Sequence, residues 1–172
     1  TKKESDVTNS TWYKEGLTRV NMAVGSAYQN ADGVNVISAS GILNDGSDKV
    51  RVISADMTLD RIAIIVNSFI EMNDAEAFLV DKTSGVILAN RDSSLISQTL
   101  GAEGQSHFYQ LTAEKAAEKD YNFVTLDGNM TVFQEVEGTN WLLVSYIPTS
   151  IVLSDLTQLR NIMILSLIHI SE

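Results

Sequence analysis

Short runs of alternating apolar and polar residues, each closed by a turn signal, are the feature that most limits what this chain can become. From Val34 to Leu43, Val34, Val36 and Ser38 fall on one side, and Asn35, Ile37 and Ala39 on the other. Asn44 to Asp48 carry a hairpin turn signal, and a returning strand starts at Lys49. The pattern predicts an antiparallel pair. Farther on, Glu76 to Asp81 and Gly85 to Asn90 flank the tight turn Lys82-Thr83-Ser84. Then Tyr121 to Leu126, Met130 to Val136 and Trp141 to Ile147 follow one another through the turns Asp127-Gly128-Asn129 and Glu137 to Asn140. Three short strands joined so closely make a meander. Pro148 is the only proline, and it closes the last strand. Trp141, opening that strand, is expected to be mostly buried.

Helical periodicity fills the gaps. Leu17, Val20, Ala23 and Val24 give a weak helical spacing over Trp12 to Tyr28. Thr58 is placed to cap a helix, with Arg61 at the capping-box position. Leu59, Ile62, Ile65, Val66, Phe69 and Ile70 share its apolar face, and Asn73-Asp74 end it. Ser106 to Lys119 is rich in helix formers. Thr149-Ser150 cap a last segment whose Ile151, Leu153, Leu156 and Leu159 have near-heptad spacing. The expected fold class is α+β, with two PAS-like modules built on antiparallel sheets, the first lacking its N-terminal part. The expected divisions are 1–57 for the first module, 58–74 for a linking helix, 75–148 for the second module and 149–164 for a helix leading toward a membrane.

Composition removes several function classes. Among 172 residues the formal net charge is −10, which repels nucleic-acid phosphates. There is no cysteine, so thiol catalysis, zinc–thiolate sites and disulfides are out. With only two histidines, His107 and His169, a histidine-based triad or multi-histidine metal site is not expected. Asp45 and Asp48 resemble a calcium loop only superficially, and Lys82 to Gly85 lacks phosphate-loop spacing. No paired catalytic motif is present, so the expectation is a protein that is not an enzyme and needs no cofactor or metal. No run of about 18 apolar residues offers a complete membrane span.

The ends read as the ends of a fragment. The N-terminal TKKESDVTNS has neither an initiating methionine nor an apolar element. An apolar run begins at Arg160 to Ile164, as if entering a membrane helix. The last residues, Leu165 to Glu172, read LSLIHISE, which codons resembling the end of a transposon-type sequencing adapter would spell, and are expected to be an artefact.

Several phrases, in order, resemble one family. TWYKEG (Thr11 to Gly16), SAYQNADG (Ser26 to Gly33) and VISADMTLDRI (Val52 to Ile62) are similar to the membrane-distal half of bacterial double-Cache sensor regions. AFLVDKTSGVILAN (Ala77 to Asn90) and GTNWLLVSYIP (Gly138 to Pro148) are similar to the membrane-proximal half. The resemblance implies an extracytoplasmic small-molecule sensor held between transmembrane helices and dimerised through a stalk helix. It is most like a methyl-accepting chemotaxis protein. A sensor for a histidine kinase or diguanylate cyclase is the alternative, and a stand-alone PAS-like binding or hydrolase domain is a third.

In amino-acid-binding members the resemblance places a ligand site on an Arg-x-Trp-Tyr run, a later Tyr and an Asp. Trp12, Tyr13, Tyr28 and Asp56 stand at those positions, but Ser10 stands where the arginine would hold a ligand carboxylate. Three π-faces and one carboxylate suit a cation, so the expected ligand is an amine, with an amino acid next. Read from residues alone, the aromatics could equally be core and Asp56 a local cap.

Overall fold

The computed structural model describes residues 7–68, 74–154 and 157. A short 3-10 turn, Val7–Asn9, leads into α1, Thr11–Gly16. β1 (Ala23–Gln29), β2 (Asn35–Leu43) and β3 (Arg51–Thr58) then form an antiparallel sheet in the order β1-β2-β3. The β2–β3 register is unbroken, from Val36 opposite Thr58 to Leu43 opposite Arg51. The expected helix over Trp12 to Tyr28 is thus corrected: it ends at Gly16, and Ala23 onward is strand. The ladder to β2 supplies the backbone bonds that the weak helical pattern could not secure. Gly25, a poor helix residue, leaves room for the Glu15 carboxylate where a side chain would stand.

α2, Leu59–Ser68, starts directly after β3. The Arg61 amide donates to Thr58 Oγ1 at 3.4 Å, the capping role expected of Thr58. Its buried side chains are Leu59, Ile62 and Ala63, with Val66 packed beside them. Ile65, expected on the same face, is instead 45% exposed, because the core lies on the Ala63 side. Phe69, Ile70 and Asn73 lie outside the described residues, as do Arg160 to Ile164, the tail Leu165 to Glu172 and the N-terminal residues 1–6.

The second sheet has five antiparallel strands in the order β5-β4-β8-β7-β6. These are β4 (Glu76–Asp81), β5 (Ile87–Ala89), β6 (Val124–Leu126), β7 (Asn129–Val136) and β8 (Trp141–Pro148). Between β5 and β6 runs α3, His107–Glu118, closed by Lys119 in the left-handed conformation. Both faces of this sheet are covered. Phe78, Val80, Leu142 and Val144 pack with Phe108 of α3, whereas Leu79, Leu88 and Ala89 pack with α2 and with Ile37 of β2. Cover on both sides explains why Glu76 to Asp81 is apolar without alternation. Trp141 is half-buried, not mostly buried, because it lines an apolar cavity between α2 and the sheet. Residues 149–154 are helical.

Candidate functional site

The first sheet carries a line of polar side chains on the face that α1 covers. Ser38 and Ser40 alternate along β2 and are 1% and 0% exposed. The register sets Ser38 opposite Asp56 and Ser40 opposite Ser54. Ser38 donates its hydroxyl to Asp56 Oδ1 at 2.6 Å. Since that hydroxyl has one proton, the 2.7 Å contact with Tyr28 is a donation from the phenol to Ser38. Tyr28, Ser38 and Asp56 therefore form one relay ending on the carboxylate. Ser54 adds a longer bond to the same oxygen at 3.4 Å.

Partial burial raises the Tyr28 pKa, the Ser38 hydrogen bond opposes that shift, and the Asp56 and Glu15 carboxylates add to it. The phenol stays a donor through the neutral range. Asp56 is exposed and forms no ion pair among the described residues. It lies within β3, opposite Ser38, and the α2 capping place falls to Thr58.

Trp12 and Tyr13, both partly buried on α1, meet edge to face with ring centroids 5.7 Å apart. Among the described residues no hydrogen bond or ring contact joins that pair to Tyr28 or Asp56. The structure thus gives two pairs, one on the helix and one on the sheet beneath it. Ser10 precedes α1 and donates to the Val7 carbonyl.

Glu15 and Arg19 hold α1 to the sheet, and nothing in the sequence singled them out. Glu15 accepts from the Ser26 amide at 3.2 Å and pairs with Arg19 at 3.2 Å. Arg19 also donates to the Ala23 carbonyl at 3.0 Å and to Ser40 Oγ at 3.2 Å. Gly16 sits where a side chain would collide with Val52 and Ser40. The i,i+4 spacing of Glu15 and Arg19 and the glycines at 16, 25 and 41 were the available signals. Ser38 shares its side of the strand pattern with Val34 and Val36, and no local signal names its partner.

The second sheet and α3 repeat the arrangement with different contents. Ser106-His107-Phe108-Tyr109 opens α3 as Ser10-Thr11-Trp12-Tyr13 opens α1. There Phe108 lies 4.5 Å from the Tyr146 ring, and Tyr109 lies 5.2 Å from Phe78 and accepts from Asn90 at 3.0 Å. The protein's own aromatics fill the space under the first turn of α3.

No family model matches this chain, and no curated protein matches it. Solved structures do. The ligand-binding domain of the Pseudomonas fluorescens chemoreceptor CtaA, in complex with L-isoleucine, aligns with a TM-score of 0.63 at 20% identity, over 88% of this chain and 62% of that one. The ligand-binding domain of the Pseudomonas aeruginosa PAO1 amino acid chemoreceptor PctB, in complex with L-Arg, gives 0.63 at 20%, over 92% and 62%. The extracellular domain of mmHK1S-Z3, assigned as a histidine kinase, gives 0.68 at 16%, over 90% and 59%. The chain spans about six tenths of the length of these structures. At this identity the likeness shows the fold alone, and the expected Cache-like fold is the one found.

Proposed function

We propose that this chain is the extracytoplasmic ligand-sensing part of a membrane receptor, most like a chemoreceptor, and that the first module binds a small amine. Asp56 carries the reading. It is an exposed carboxylate held in place by Ser38 and, among the described residues, left without a cation of its own. An ammonium there gains a charge-assisted hydrogen bond, and Trp12, Tyr13 and Tyr28 supply π-faces worth about 0.5–2 kcal/mol each. Ligand sensing by domains of this fold supports the reading, as do the amino-acid ligands of CtaA and PctB, which also carry an ammonium.

An amino acid is the second reading. Arg19 favours it, because its guanidinium reaches Ser40 on the same face, one inward position from Ser38. A ligand carboxylate would have to compete with Glu15 for that guanidinium.

In this proposal the modules divide at residues 1–57 and 75–148, with α2 between them. The first is a larger module completed along the free edge of β3, since β8, its counterpart, is paired on both sides. Ligand closure shifts the population of two arrangements of α1 on its sheet. α2 passes the change to the second module, and the helix from residue 149 carries it toward the membrane. The whole receptor acts as a homodimer, with this region extracellular or periplasmic, and its output is chemotaxis signalling. A histidine kinase output is supported by the mmHK1S-Z3 likeness, and a diguanylate cyclase is a further variant.

Calorimetry of the complete sensor region against amines, amino acids and carboxylates tests this. The expected result is a preferred ligand bearing an ammonium, bound at least tenfold more weakly by Asp56→Ala. A preferred anion, or an Asp56→Ala protein that binds as tightly as the parent, overturns it.

A further inference from the structure

A separate cavity opens in the second module, away from Asp56. It encloses about 350 Å3 between α3 and the turn joining β4 to β5. Ala113 and Ala116 leave the space, Tyr121 and Leu142 wall it, and Asp81 and Ser84 supply its polar lining. Asp81 is only 4% exposed. Its Oδ1 accepts from the Thr83 amide at 2.9 Å, the Ser84 amide at 2.8 Å, Ser84 Oγ at 3.1 Å and Asn140 Nδ2 at 3.3 Å. Its Oδ2 accepts no hydrogen bond and no ion pair from the described residues. The neighbouring Lys82 ammonium is engaged by Glu135 at 2.6 Å. The turn therefore uses one oxygen of the carboxylate, and the other is left open to the cavity that Asp81 lines.

We propose that this cavity is a second binding site, taking a small alkylammonium whose N–H donates to Asp81 Oδ2 while its apolar chain lies along Ala113, Ala116 and Leu142. Lys82 also lines the cavity, but its ammonium is held by Glu135, so Asp81 is the charged anchor open to a ligand. A cavity of this size with largely apolar walls and such an anchor has the makeup of a small-molecule site. A lone carboxylate beside alanines is a poor nest for a metal ion, and no group of three metal-binding side chains occurs among the described residues. The site would give the receptor a second input, on the module nearer the last helix and independent of the first.

Butylammonium and 1-butanol, titrated into the full chain and followed by amide chemical shifts, test the proposal. Butylammonium is expected to saturate in the millimolar range, with the largest shifts at Ser84, Ala113 and Ala116. 1-Butanol, matched in shape but uncharged, is expected to bind at least tenfold more weakly. Asp81→Asn keeps an acceptor for the turn and is expected to weaken butylammonium at least tenfold. Ala116→Leu fills the cavity and is expected to abolish those shifts, whereas Asp56→Ala leaves them unchanged. Equal binding of the alcohol, no saturation at these residues, or full binding by Ala116→Leu overturns the proposal. The alcohol and Ala116→Leu arms decide the matter even if Asp81→Asn does not fold.

Discussion

Ser38 shows how much one buried hydroxyl can organise. It receives the Tyr28 proton and gives its own to Asp56, so its loss leaves two polar groups without their shared partner. Ser38→Ala is expected to cost about 1–3 kcal/mol in urea unfolding and to weaken ligand binding, because Asp56 is then free to swing. A variant with unchanged stability and affinity would show that the relay orders nothing. Tyr146 makes a different case. Burial, and then its hydrogen bond to Glu76 at 2.6 Å, raise its pKa far above the usual phenol value. A raised folded-state pKa contributes stability in full below the unfolded value near 10, and that stability is lost as pH rises further. Since the folded protein holds the proton well beyond pH 10, each added pH unit costs about 1.4 kcal/mol from this group. Tyr146→Phe, unfolded by urea from pH 8 to 11, is expected to be less stable than the parent at pH 8 but to lose less stability as the pH rises. Parallel curves for the two proteins would remove Tyr146 as the cause.

At the scale of elements, α1 is the piece whose placement most needs explaining. Six residues make a helix too short to hold itself, so its position comes from tertiary contacts. Glu15 and Arg19 tie it to β1 and β2, and Gly41 lets the chain after it approach β2 closely. A Cβ at Gly41 would stand 2.9 Å from the Met22 backbone nitrogen, which cannot swing aside as a side chain can. Gly41→Ala is therefore expected to cost about 1–3 kcal/mol and to lower ligand affinity by displacing Trp12 and Tyr13. Thermal melts and calorimetry of the same variant check both effects, and a fully stable variant with normal affinity would show that this close approach is not needed. The cap of α2 is a smaller matter: Thr58→Ala should cost about 0.5–2 kcal/mol in the same melts.

Across the whole molecule, the two sheets share a plan but not a content. On the second sheet the Phe78, Phe108, Tyr109 and Tyr146 rings pack together beneath the first turn of α3. Over the first sheet, Trp12 and Tyr13 make a ring contact only with each other among the described residues, above a polar sheet face. Trp141, on the far face of the second sheet, joins that sheet to α2. Being half-buried beside an existing cavity, it should cost about 2–3 kcal/mol on truncation to alanine, less than a fully enclosed aromatic. The folded Trp141→Ala protein should retain its ligand preference, and calorimetry beside urea unfolding checks both points. A change in preferred ligand would mean that the far face of the sheet takes part in recognition.

The sequence by itself determined β4, β7 and β8 of the second sheet to within a residue, and started β5 and β6 two and three residues early. Glu76 to Asp81 and Trp141 to Ile147 announce strands because β-branched and aromatic runs sit between tight turns, and both effects are local. It also placed Thr58 as the cap of α2, and Trp12, Tyr13, Tyr28 and Asp56 as residues to watch. It misplaced Ala23 to Tyr28 as helix, because the bonds that make this segment a strand come from β2, beyond any local window. Only the tertiary structure joined Tyr28 to Asp56 through Ser38, since the β2–β3 register sets which side chains face each other across a sheet. Only it brought Glu15 onto the Ser26 amide and set Ile65 outside the core. Those outcomes depend on where α1 and α2 lie against sheets formed by distant residues, and no spacing along the chain encodes that distance.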